Sequence, residues 1–449
     1  MFSKLLIANR GEIAVRIIRA CKEMGIRTVA IYSEADKDAL HVSLADESIC
    51  VGPATSQLSY LNQQAIISAA INTDCKAVHP GYGFLSENPE FAELCEDSGI
   101  KFVGPSAEVI RQMGNKDTAK KTVARAGVPT IPGREDVKDL QEARQAAEEI
   151  GFPLLIKARS GGGGKGIRFV DSMEDLKPAF TTAAREASSS FNDPALYMEK
   201  MLTRVKHVEV QVLCDKEGHV ICFPERDCSM QRKHQKILEE SPCAVMNPQQ
   251  RSRMQKAARQ AVRALKYEGV GTLEFLLDEE GNFYFMEMNT RLQVEHPVTE
   301  MVCGIDLVKW QIRVAAGLTL PFVQKDITLG GHAIQCRINA EDPMRDFAPA
   351  GGKVDILHIP GGPWVRFDTA LYQGYTLPVH YDSLIAKLIV HAPTREEAIR
   401  KMQAALCETV IEGIDHTALF QADLLAETAF VDGSYTTDYL SRRKAQDAG

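Results

Sequence analysis

The first hundred residues alternate short apolar runs with segments of helical periodicity, and this alternation limits the fold more than any other feature. Apolar runs of strand length occur at KLLIAN (residues 4–9) and RTVAIYS (27–33). Between them, Ile13, Ile17 and Cys21 fall on one stripe, as in an amphipathic helix. Strands that alternate with helices at such short spacing form a parallel sheet covered on both faces. The sequence therefore predicts an α/β fold that begins with a parallel sheet.

Polar loops follow two of the predicted strands. They read Asn9-Arg10-Gly11 and HPGYG (79–83). Ligands of open parallel sheets bind at the carboxyl ends of the strands, so these loops are expected at a binding site. The turn after the first strand lacks the G-x-G-x-x-G pattern, which disfavours a nicotinamide dinucleotide.

The organisation changes beyond residue 114, where helices are joined by longer β segments and hairpins. A stretch rich in proline and glycine, 128–133, predicts a hinge into a small subdomain that ends near Leu202. The segment from Gly331 onwards is rich in β-forming residues and closes with helices around 396–411 and 417–425. With 449 residues, 45% of them hydrophobic, the chain is long enough for two or three domains.

Charge and cysteine content exclude several classes of protein. A formal net charge of −8 argues against general attraction to nucleic acid or to an anionic membrane. The eleven cysteines are scattered without C-x-x-C spacing, which predicts reduced thiols. The amino-terminal residues do not resemble a signal peptide, and no stretch approaches the roughly 20 apolar residues that span a bilayer. We therefore expect a cytoplasmic protein that binds neither nucleic acid nor membrane.

Four consecutive glycines, 161–164, lie between a predicted strand ending near Lys157 and another beginning at Ile167. Backbone N–H groups of such a loop can turn toward one anion, and Lys157 and Lys165 add positive charge. The loop is not a Walker A motif, because Lys165 is followed by glycine and a strand. A mobile lid over nucleotide phosphates and a flexible hairpin tip both remain open.

A predicted hairpin over 272–289 carries two glutamates. If the turn is centred on Glu280-Gly281, opposed residues sum to 561 in number, so that Asp278 lies opposite Phe283 and Glu274 opposite Glu287. Facing carboxylates destabilise a sheet unless a cation lies between them, and Mg²⁺ would fill that role. Asn289 is expected on the same face. An exposed acidic face is the alternative, and a bulged turn would break this register.

Two further stretches combine cations with a carboxylate. ERDCSMQRKHQK (225–236) is basic, and TRLQVEHPVTE (290–300) places Arg291 four residues before Glu295. A guanidinium beside a general base suits chemistry on a small oxyacid, although a surface ion pair remains the alternative. The strand HVEVQVL (207–213) presents His207, Glu209 and Gln211 on one face, opposite three valines.

Six motifs in order resemble the biotin carboxylase family, the ATP-grasp component of biotin-dependent carboxylases. They are IANRGEIAVRI (7–17), AVHPGYGFLSEN (77–88), IKARSGGGGKGIR (156–168), ERDCSMQRKHQK (225–236), EMNTRLQVEHPVTE (287–300) and GHAIQCRINAEDP (331–343). The resemblance covers residues 1 to about 440 and implies three domains. These are a parallel α/β domain over 1–113, an ATP-grasp domain over 114–330 with a glycine-rich lid over 132–202, and a C-terminal α+β domain over 331–446.

The resemblance also implies roles for individual residues. ATP would be bound by Lys116, Lys157, Gly163, Gly164, Glu199, Lys200, Met201, Leu202, His207, Gln231, His234 and Leu276. Mg²⁺ or Mn²⁺ would be bound by Glu274, Glu287 and Asn289. Bicarbonate would be bound by Lys236, Arg291, Gln293 and Val294, and biotin by Arg337 and Tyr82. The residues that carry the chemistry would be Arg291, Glu295, Lys236 and Arg337. Arg232 and Lys233 receive no role.

By resemblance, Glu295 deprotonates bicarbonate, which attacks the γ-phosphate of ATP to form carboxyphosphate. Biotin on a separate carrier protein is then carboxylated at N1, while Arg337 stabilises its enolate and the closed lid excludes water. A carboxyltransferase on another chain and a homodimer are implied, the latter by Arg19, Glu23 and Arg366. Acetyl-CoA carboxylase is the expected setting. Pyruvate, propionyl-CoA and 2-oxoglutarate carboxylases, or another ATP-grasp ligase, are alternatives. Asp438 replaces a histidine of some members, which leaves a nucleotide contact there in doubt.

Overall fold

The structure is a computed structural model that describes residues 1–158, 167–191 and 196–447. The chain forms two compact units. The first comprises Met1–Val128, Lys206–Leu276 and Glu287–Gly449, and the second Pro129–Val205 and Leu277–Met286. Hydrophobic cores form within each unit.

The amino-terminal strands of the first unit form the predicted parallel sheet. Its strands are β1 (Lys4–Ile7), β2 (Arg27–Ser33), β3 (Glu47–Gly52), β4 (Ala77–His79) and β5 (Lys101–Phe102). They are arranged in the order β3-β2-β1-β4-β5, and every pairing is parallel. The carboxyl ends of β1 and β4, which are neighbours, therefore present the Asn9 and HPGYG loops side by side.

Helices alternate with these strands as the apolar periodicity predicts. They are α1 (Gly11–Glu23), α2 (Leu40–Leu44), α3 (Gln63–Asn72), α4 (Pro89–Asp97), α5 (Ala107–Gly114) and α6 (Lys116–Arg125). Local signals set several starts. The Asn88 side chain accepts from the Phe91 N–H while Pro89 occupies the first turn, and Asn115 caps α6 in the same way.

The second unit contains a four-stranded antiparallel sheet. Its elements are β6 (Gly133–Val137), α7 (Leu140–Ile150), β7 (Leu154–Ala158), β8 (Ile167–Val170), α8 (Met173–Phe191) and β9 (Leu196–Lys200). The strand order is β6-β9-β7-β8. Gly163 and Gly164 lie outside the described residues, so the glycine-loop hypothesis stays a prediction.

A second sheet of nine strands follows in chain order. Its strands are β10 (Lys206–Cys214), β11 (Val220–Cys222), β12 (Arg226–Arg232), β13 (Gln235–Ser241), β14 (Gly269–Leu277), β15 (Phe283–Asn289), β16 (His332–Asn339), β21 (Val365–Thr369) and β23 (Leu384–Ala392). The order is β15-β14-β10-β12-β13-β16-β23-β21, with β11 beside β10. The first unit also contains helices α9 (Pro248–Ala264), α10 (His296–Cys303) and α11 (Leu307–Ala315).

The remaining carboxyl-terminal elements are short strands and helices. They are β17 (Glu341–Asp342), β18 (Ala348–Pro349), β19 (Gly352–Lys353), β20 (Ile356–His358), β22 (Thr376–Leu377), α12 (Arg395–Glu408), β24 (Val410–Glu412), α13 (Ala418–Ala426), α14 (Thr428–Val431) and α15 (Tyr439–Asp447). Helices α12 and α13 contribute apolar side chains to a core shared with β16 and β23. Helix α13 lies within one residue of the sequence expectation at both ends, whereas α12 ends three residues earlier than expected.

Successive residues of β16 and β23 point to opposite faces of the large sheet. Cys336 and Leu388, directly paired, belong to the hydrophobic core on one face. Their neighbours Arg337 and Lys387, also directly paired, lie on the other face. That second face is buried although it is polar, because α10 packs against the same two strands. Charged side chains are thereby held close together away from water.

The cysteines and the helices agree with two sequence expectations. All eleven cysteines are free thiols, and only Cys50 and Cys407 are exposed. In the described part of the chain, no helix has both the length and the apolar character needed to cross a bilayer.

A buried histidine in α2 makes stability depend on pH. His41 is fully buried, its Nε2 atom lies 3.3 Å from the Ile31 carbonyl oxygen, and burial lowers its pKa from 6.5 to about 4. Between these values the unfolded chain binds a proton that the folded chain does not, so stability falls as the pH decreases. The loss at pH 5 relative to pH 7.5 is about 2 kcal/mol. We expect His41→Gln to show a smaller decrease in melting temperature between pH 7.5 and pH 5 than the wild type. An equal decrease would contradict the prediction.

Candidate active site

The basic stretch folds into the hairpin β12–β13 of the first unit. Its two-residue turn, Lys233-His234, has φ angles of 50° and 65°, and Arg232 pairs with Gln235. Positive φ at both positions is typical of the tight turn that joins twisted antiparallel strands. His234 is therefore exposed at the tip, whereas Lys236 lies further along β13 and is mostly buried. Only part of the stretch is solvated.

Lys236 is the centre of the site. Its Nζ atom lies 2.7 Å from Glu209 Oε2, 3.0 Å from Glu274 Oε1 and 2.7 Å from Glu295 Oε1. Burial alone would lower the pKa of this ammonium, but Glu209 and Glu295 hold that pKa well above its usual value. Lys236 is thus a permanent cation among three carboxylates.

Glu295 lies immediately before α10 and is fully buried. One carboxylate oxygen contacts Lys236, and the other accepts from Arg337 Nη2 at 3.0 Å. Burial acts to raise the pKa of Glu295, but Lys236, Arg337 and Arg226 together hold it well below its usual range. The group is therefore an ionised carboxylate between two cations, as a proton acceptor requires.

Arg337 lies on the polar face of β16. Its Nε atom donates to Glu239 Oε1 at 2.5 Å while Nη2 reaches Glu295. Gln335, two residues earlier on the same strand, donates to the other oxygen of Glu239 at 3.0 Å. Glu239 was not identified from the sequence, because a buried acceptor on a neighbouring strand has no local motif.

Glu274 on β14 is surrounded by polar side chains. His207 Nε2 lies 2.8 Å from its Oε2, and the amide groups of Asn289 and Gln293 donate to its Oε1 at 2.8 and 3.0 Å. Burial would raise the pKa of this carboxyl group, but Lys236 and His207 lower it. Glu274 and Asn289 of the predicted hairpin are thus brought together with His207 of β10, and all three are buried.

The register of the β14–β15 turn differs from the prediction. The Asp278 N–H donates to the Asn282 carbonyl at 2.9 Å, so Asp278 pairs with Asn282 and not with Phe283. Gly281, with φ of 81°, forms a bulge at the end of the turn, which glycine allows because it has no Cβ. The rule that paired residues sum to 561 is therefore wrong at the turn, and the direct opposition of Glu274 and Glu287 loses its basis.

Glu287 and Lys116 form a second, more exposed part of the site. Their side chains lie 3.7 Å apart, and Glu287 is about one third exposed. Lys116 is the first residue of α6 and is exposed. This loose ion pair leaves both groups accessible to a ligand in solvent.

Arg291 is held in place by three side chains. Its Nε donates to Glu87 Oε2 at 2.7 Å, Nη2 donates to Asn289 Oδ1 at 2.9 Å, and Nη1 donates to Gln293 Oε1 at 2.9 Å. Glu87 also accepts from the Thr290 N–H at 3.0 Å. Glu87 lies within the recognised motif GFLSEN, yet no spacing argument connects it with a residue 204 positions away.

Arg226 holds other polar side chains of the site in place. It is fully buried, and its guanidinium donates to Glu209 Oε1 at 2.5 Å, Gln211 Oε1 at 2.9 Å and Thr299 Oγ1 at 2.9 Å. The contact with Thr299 connects β12 to α10. Arg226 therefore fixes Glu209, which in turn contacts Lys236.

Gln231 and its neighbours have separate partners. Gln231 Nε2 lies 2.8 Å from both His207 Nδ1 and the Cys228 carbonyl, and Cys228 Sγ is 3.7 Å from Glu295. Arg232, which had no predicted role, donates to Glu341 at 3.0 Å and lies over the Phe347 ring at 3.9 Å. Arg232 thus anchors the hairpin to the 341–347 segment.

The other predicted nucleotide residues are distributed over both units. In the second unit, Glu199 is buried in β9, Lys200 Nζ donates to the Phe152 carbonyl, and the Met201 N–H donates to the Pro153 carbonyl. Leu202 follows β9 and is partly buried. The backbone of Lys157 pairs with that of Tyr197 in the sheet. In the first unit, Leu276 on β14 is partly buried.

The first unit therefore places the buried carboxylate of Glu295 between Lys236 and Arg337. The oriented guanidinium of Arg291 lies four residues earlier in the chain. Such an arrangement can bind a small oxyanion, accept a proton from it and stabilise charge on a transferring group.

Comparisons with known proteins identify this arrangement. Three family profiles match the chain: "Biotin carboxylase, N-terminal domain" over residues 1–110, "Carbamoyl-phosphate synthase L chain, ATP binding domain" over 115–323, and "Biotin carboxylase C-terminal domain" over 335–442. Biotin carboxylase 1 of Bacillus subtilis is 53% identical over 442 residues, which are 98% of each chain.

Solved structures agree with the sequence relatives. The biotin carboxylase domain dimer of Hydrogenobacter thermophilus 2-oxoglutarate carboxylase, in complex with MgADP, ADP and bicarbonate, matches with a TM-score of 0.87 and 48% identity over 99% of this chain and 98% of that one. The biotin carboxylase subunit of a pyruvate carboxylase matches with a TM-score of 0.92 and 48% identity over 99% of both chains. The three-domain fold is that of these proteins.

The two biotin carboxylase profiles that flank the ATP-binding profile decide against the other ATP-grasp ligases that the sequence left open. Identity of about half over the full length of a biotin carboxylase points the same way. The chain belongs to the biotin carboxylase family and is an ATP-grasp ligase.

Proposed function

We propose that the protein carboxylates biotin on a separate carrier protein, using ATP and bicarbonate and forming carboxyphosphate on the way. The observation that carries the proposal is the buried cluster in which Glu295 contacts both Lys236 and Arg337. One of these cations belongs to the predicted bicarbonate site and the other to the predicted biotin site. A single carboxylate therefore lies beside both proposed substrate sites.

Bicarbonate is held by Lys236, Arg291, Gln293 and Val294. Arg291 is oriented by Glu87, so its planar donors are preorganised for an oxyanion. Glu295 takes the proton of bicarbonate, and the arriving negative charge raises the affinity of this carboxylate for that proton. The deprotonated oxygen then attacks the γ-phosphorus of ATP, and ADP leaves. Lys236 lies close enough to Glu295 to stabilise the developing charge.

The residues of the first unit that are proposed to contact ATP are His207, Gln231, His234, Leu276 and Lys116. The proposal for Lys157, Gly163, Gly164, Glu199, Lys200, Met201 and Leu202 rests on the resemblance of their motifs. These assignments are predictions for individual residues, and each can be tested by nucleotide titration of a single variant.

A divalent cation fits the oxygen ligands near Lys236. Carboxylates of Glu274 and Glu287 and the amide of Asn289 are hard ligands of the kind that Mg²⁺ and Mn²⁺ take. His207, Glu209 and Glu274 also bring three possible ligand atoms within 4.8 Å of one another. When bound, the cation neutralises charge on the ATP phosphates.

We expect Glu274→Gln to raise the Mg²⁺ concentration needed for half-maximal activity.

Biotin is proposed to contact Arg337 and Tyr82. Carboxyphosphate releases CO₂ and phosphate, the phosphate accepts the N1 proton of biotin, and the resulting enolate oxygen lies beside the guanidinium of Arg337. The enolate nitrogen then attacks CO₂, which gives N1-carboxybiotin. Arg337 is suited to this role because it stays protonated: burial would lower its pKa, but Glu239 and Glu295 raise it.

Acetyl-CoA carboxylase is the proposed setting, with the carrier and carboxyltransferase on other chains. Support comes from relatives such as the B. subtilis protein, which match over almost their entire length. The biotin carboxylase domain of a 2-oxoglutarate carboxylase and the biotin carboxylase subunit of a pyruvate carboxylase each match at 48% identity, so these acceptors remain the second candidate. A homodimer is proposed from the dimeric H. thermophilus structure. The cytoplasmic location stays a prediction from the sequence.

The decisive experiment measures ADP release by the purified protein with Mg²⁺ and ATP. We expect little ADP without bicarbonate, more with bicarbonate, and a further increase when free biotin is added. ATP hydrolysis that is independent of bicarbonate and biotin would refute the proposed function. Mixing with candidate carrier and carboxyltransferase pairs, and assaying acetyl-CoA, pyruvate and 2-oxoglutarate, then identifies the final acceptor.

A further inference from the structure

A row of charged residues crosses three strands of the large sheet on its polar face. Arg337 on β16 pairs directly with Lys387 on β23, and Lys387 pairs directly with Asp368 on β21. Directly paired residues point to the same face. Lys387, which lies in none of the recognised motifs, is therefore the neighbour of a residue proposed to bind biotin.

Lys387 is fully buried, donates one hydrogen bond and forms two ion pairs. Its Nζ atom donates to the Val294 carbonyl oxygen at 3.2 Å and lies 3.0 Å from Glu12 Oε2 and 3.9 Å from Asp368 Oδ2. Removing an ammonium from water is costly unless it has charged or polar partners. The carbonyl of Val294 is one of these partners, and Val294 directly precedes Glu295. Lys387 thus orients the peptide unit that leads into the proposed base.

Glu12, in the first turn of α1, connects Lys387 to the loop that contains Tyr82. Its Oε1 atom accepts from the Tyr82 hydroxyl, and its Oε2 atom faces Lys387. Lys387 Nζ also lies 5.8 Å from the centre of the Tyr82 ring. The loop itself is fixed by Asn9, whose amide donates to the carbonyls of Pro80 and Tyr82 at 2.7 and 2.8 Å.

We propose that Glu12 and Lys387 are positioning residues that couple the biotin-facing Tyr82 to the bicarbonate-binding turn 293–295. The coupling runs from the Tyr82 hydroxyl through the carboxylate of Glu12 and the ammonium of Lys387 to the Val294 carbonyl. The inference rests on the proposed function, because it takes the roles of Tyr82 and of the turn from there. As a consequence, binding of biotin changes the proton affinity of the Glu295 carboxylate.

The turn 293–295 is held through the two carbonyl groups that precede Glu295. His296 Nδ1 lies 2.7 Å from the Gln293 carbonyl oxygen, and Lys387 holds the next carbonyl, that of Val294. Loss of the Lys387 contact frees only the peptide unit between Val294 and Glu295. The contact between His296, in the first turn of α10, and the Gln293 carbonyl remains. The expected defect is therefore local to the bicarbonate site and does not extend to nucleotide binding.

The first test compares Lys387→Met and Glu12→Gln with the wild type. We expect the KM for bicarbonate to rise about tenfold, the size expected for loss of one hydrogen bond to a charged group. The KM for ATP should stay within about twofold of the wild type, because Lys387 and Glu12 are not among the proposed ATP-binding residues. Thermal unfolding of each variant shows whether it is folded.

Arg251→Met is the matched control. Arg251 and Glu225 form a partly buried two-contact ion pair at 2.6 and 2.8 Å in the same unit. Its removal should lower the melting temperature but leave the KM for bicarbonate and the stimulation by biotin unchanged. A comparable rise in the KM for bicarbonate in this control would show that any buried ion pair has this effect, and would overturn the proposal.

The second test is a double-mutant cycle between Tyr82→Phe and Lys387→Met, with the stimulation of ADP release by biotin as the readout. The two changes should be non-additive by at least about threefold, and additive when Glu12→Gln is already present. Additivity in both backgrounds would overturn the proposed connection through Glu12. If the wild type itself shows no bicarbonate-dependent and biotin-stimulated ADP release, the proposed function fails, which is a different outcome from loss of coupling.

Discussion

Replacing Lys236 by methionine is expected to lower kcat for bicarbonate-dependent ADP release by about 100-fold or more, the typical effect of removing one donor that stabilises a transition state. The physical reason is the position of the ammonium, within 3.0 Å of Glu209, Glu274 and Glu295. Without it, three buried carboxylates repel one another and a bicarbonate ion is less well held. ATP binding, measured by calorimetry, should survive.

Lys233→Met is the control for this experiment. Lys233 lies in the same hairpin but is exposed, and its ion pair with Asp346 at 3.2 Å is screened by solvent, so it contributes little to stability. Activity should therefore stay near that of the wild type. Lys236→Arg keeps the charge with a different shape and should retain more activity than Lys236→Met. Equal loss of ATP affinity in Lys236→Met would show that the wrong ligand is assigned to this residue.

Replacing Glu295 by glutamine is expected to lower kcat by about 100- to 10,000-fold, the range for loss of a general acid–base group. The glutamine keeps the shape and one acceptor for Lys236 but removes the proton-accepting charge. ADP release with saturating bicarbonate and biotin measures the effect. Because Arg337 donates to the same carboxylate at 3.0 Å, both the bicarbonate-dependent rate and the stimulation by biotin should fall.

Glu295→Asp separates proton transfer from placement. The shorter carboxylate remains charged, so its activity should exceed that of Glu295→Gln even though its contacts are stretched. Both variants should bind ATP, and Glu295→Gln should unfold at a lower temperature than the wild type because Lys236 and Arg337 lose their charged partner. Activity of Glu295→Gln within about tenfold of the wild type would remove Glu295 from the role of base.

Local patterns predicted much of the fold correctly. Helix α4 begins at Pro89, because an asparagine cap and a proline in the first turn leave little choice for its start. The parallel pairing of β1 with β2 and β4 follows from strands too closely spaced to be joined by anything but crossover helices. Alternation along β10 placed His207 and Glu209 on one face, and the structure confirms that both contact the site.

Other features depend on more than the local pattern. The turn of β14–β15 is centred on Glu280 and not between Glu280 and Gly281, because a turn with a glycine bulge and one without it are both compatible with the letters DEEGN. Burial of the polar face also had no local signal. An alternating strand is usually half solvated, whereas here α10 covers the charged side of β16 and β23.

By itself, the sequence determined the strand and helix order, the family and the types of side chain that carry the chemistry. These follow from periodicity and from motifs whose residues are close together in the chain. Only the tertiary structure decided which charges meet. Arg291 meets Glu87, and Lys387 meets Glu12 and Val294, across hundreds or tens of residues. Such contacts arise from the packing of whole elements, and a buried charge is tolerated only where that packing supplies its partner.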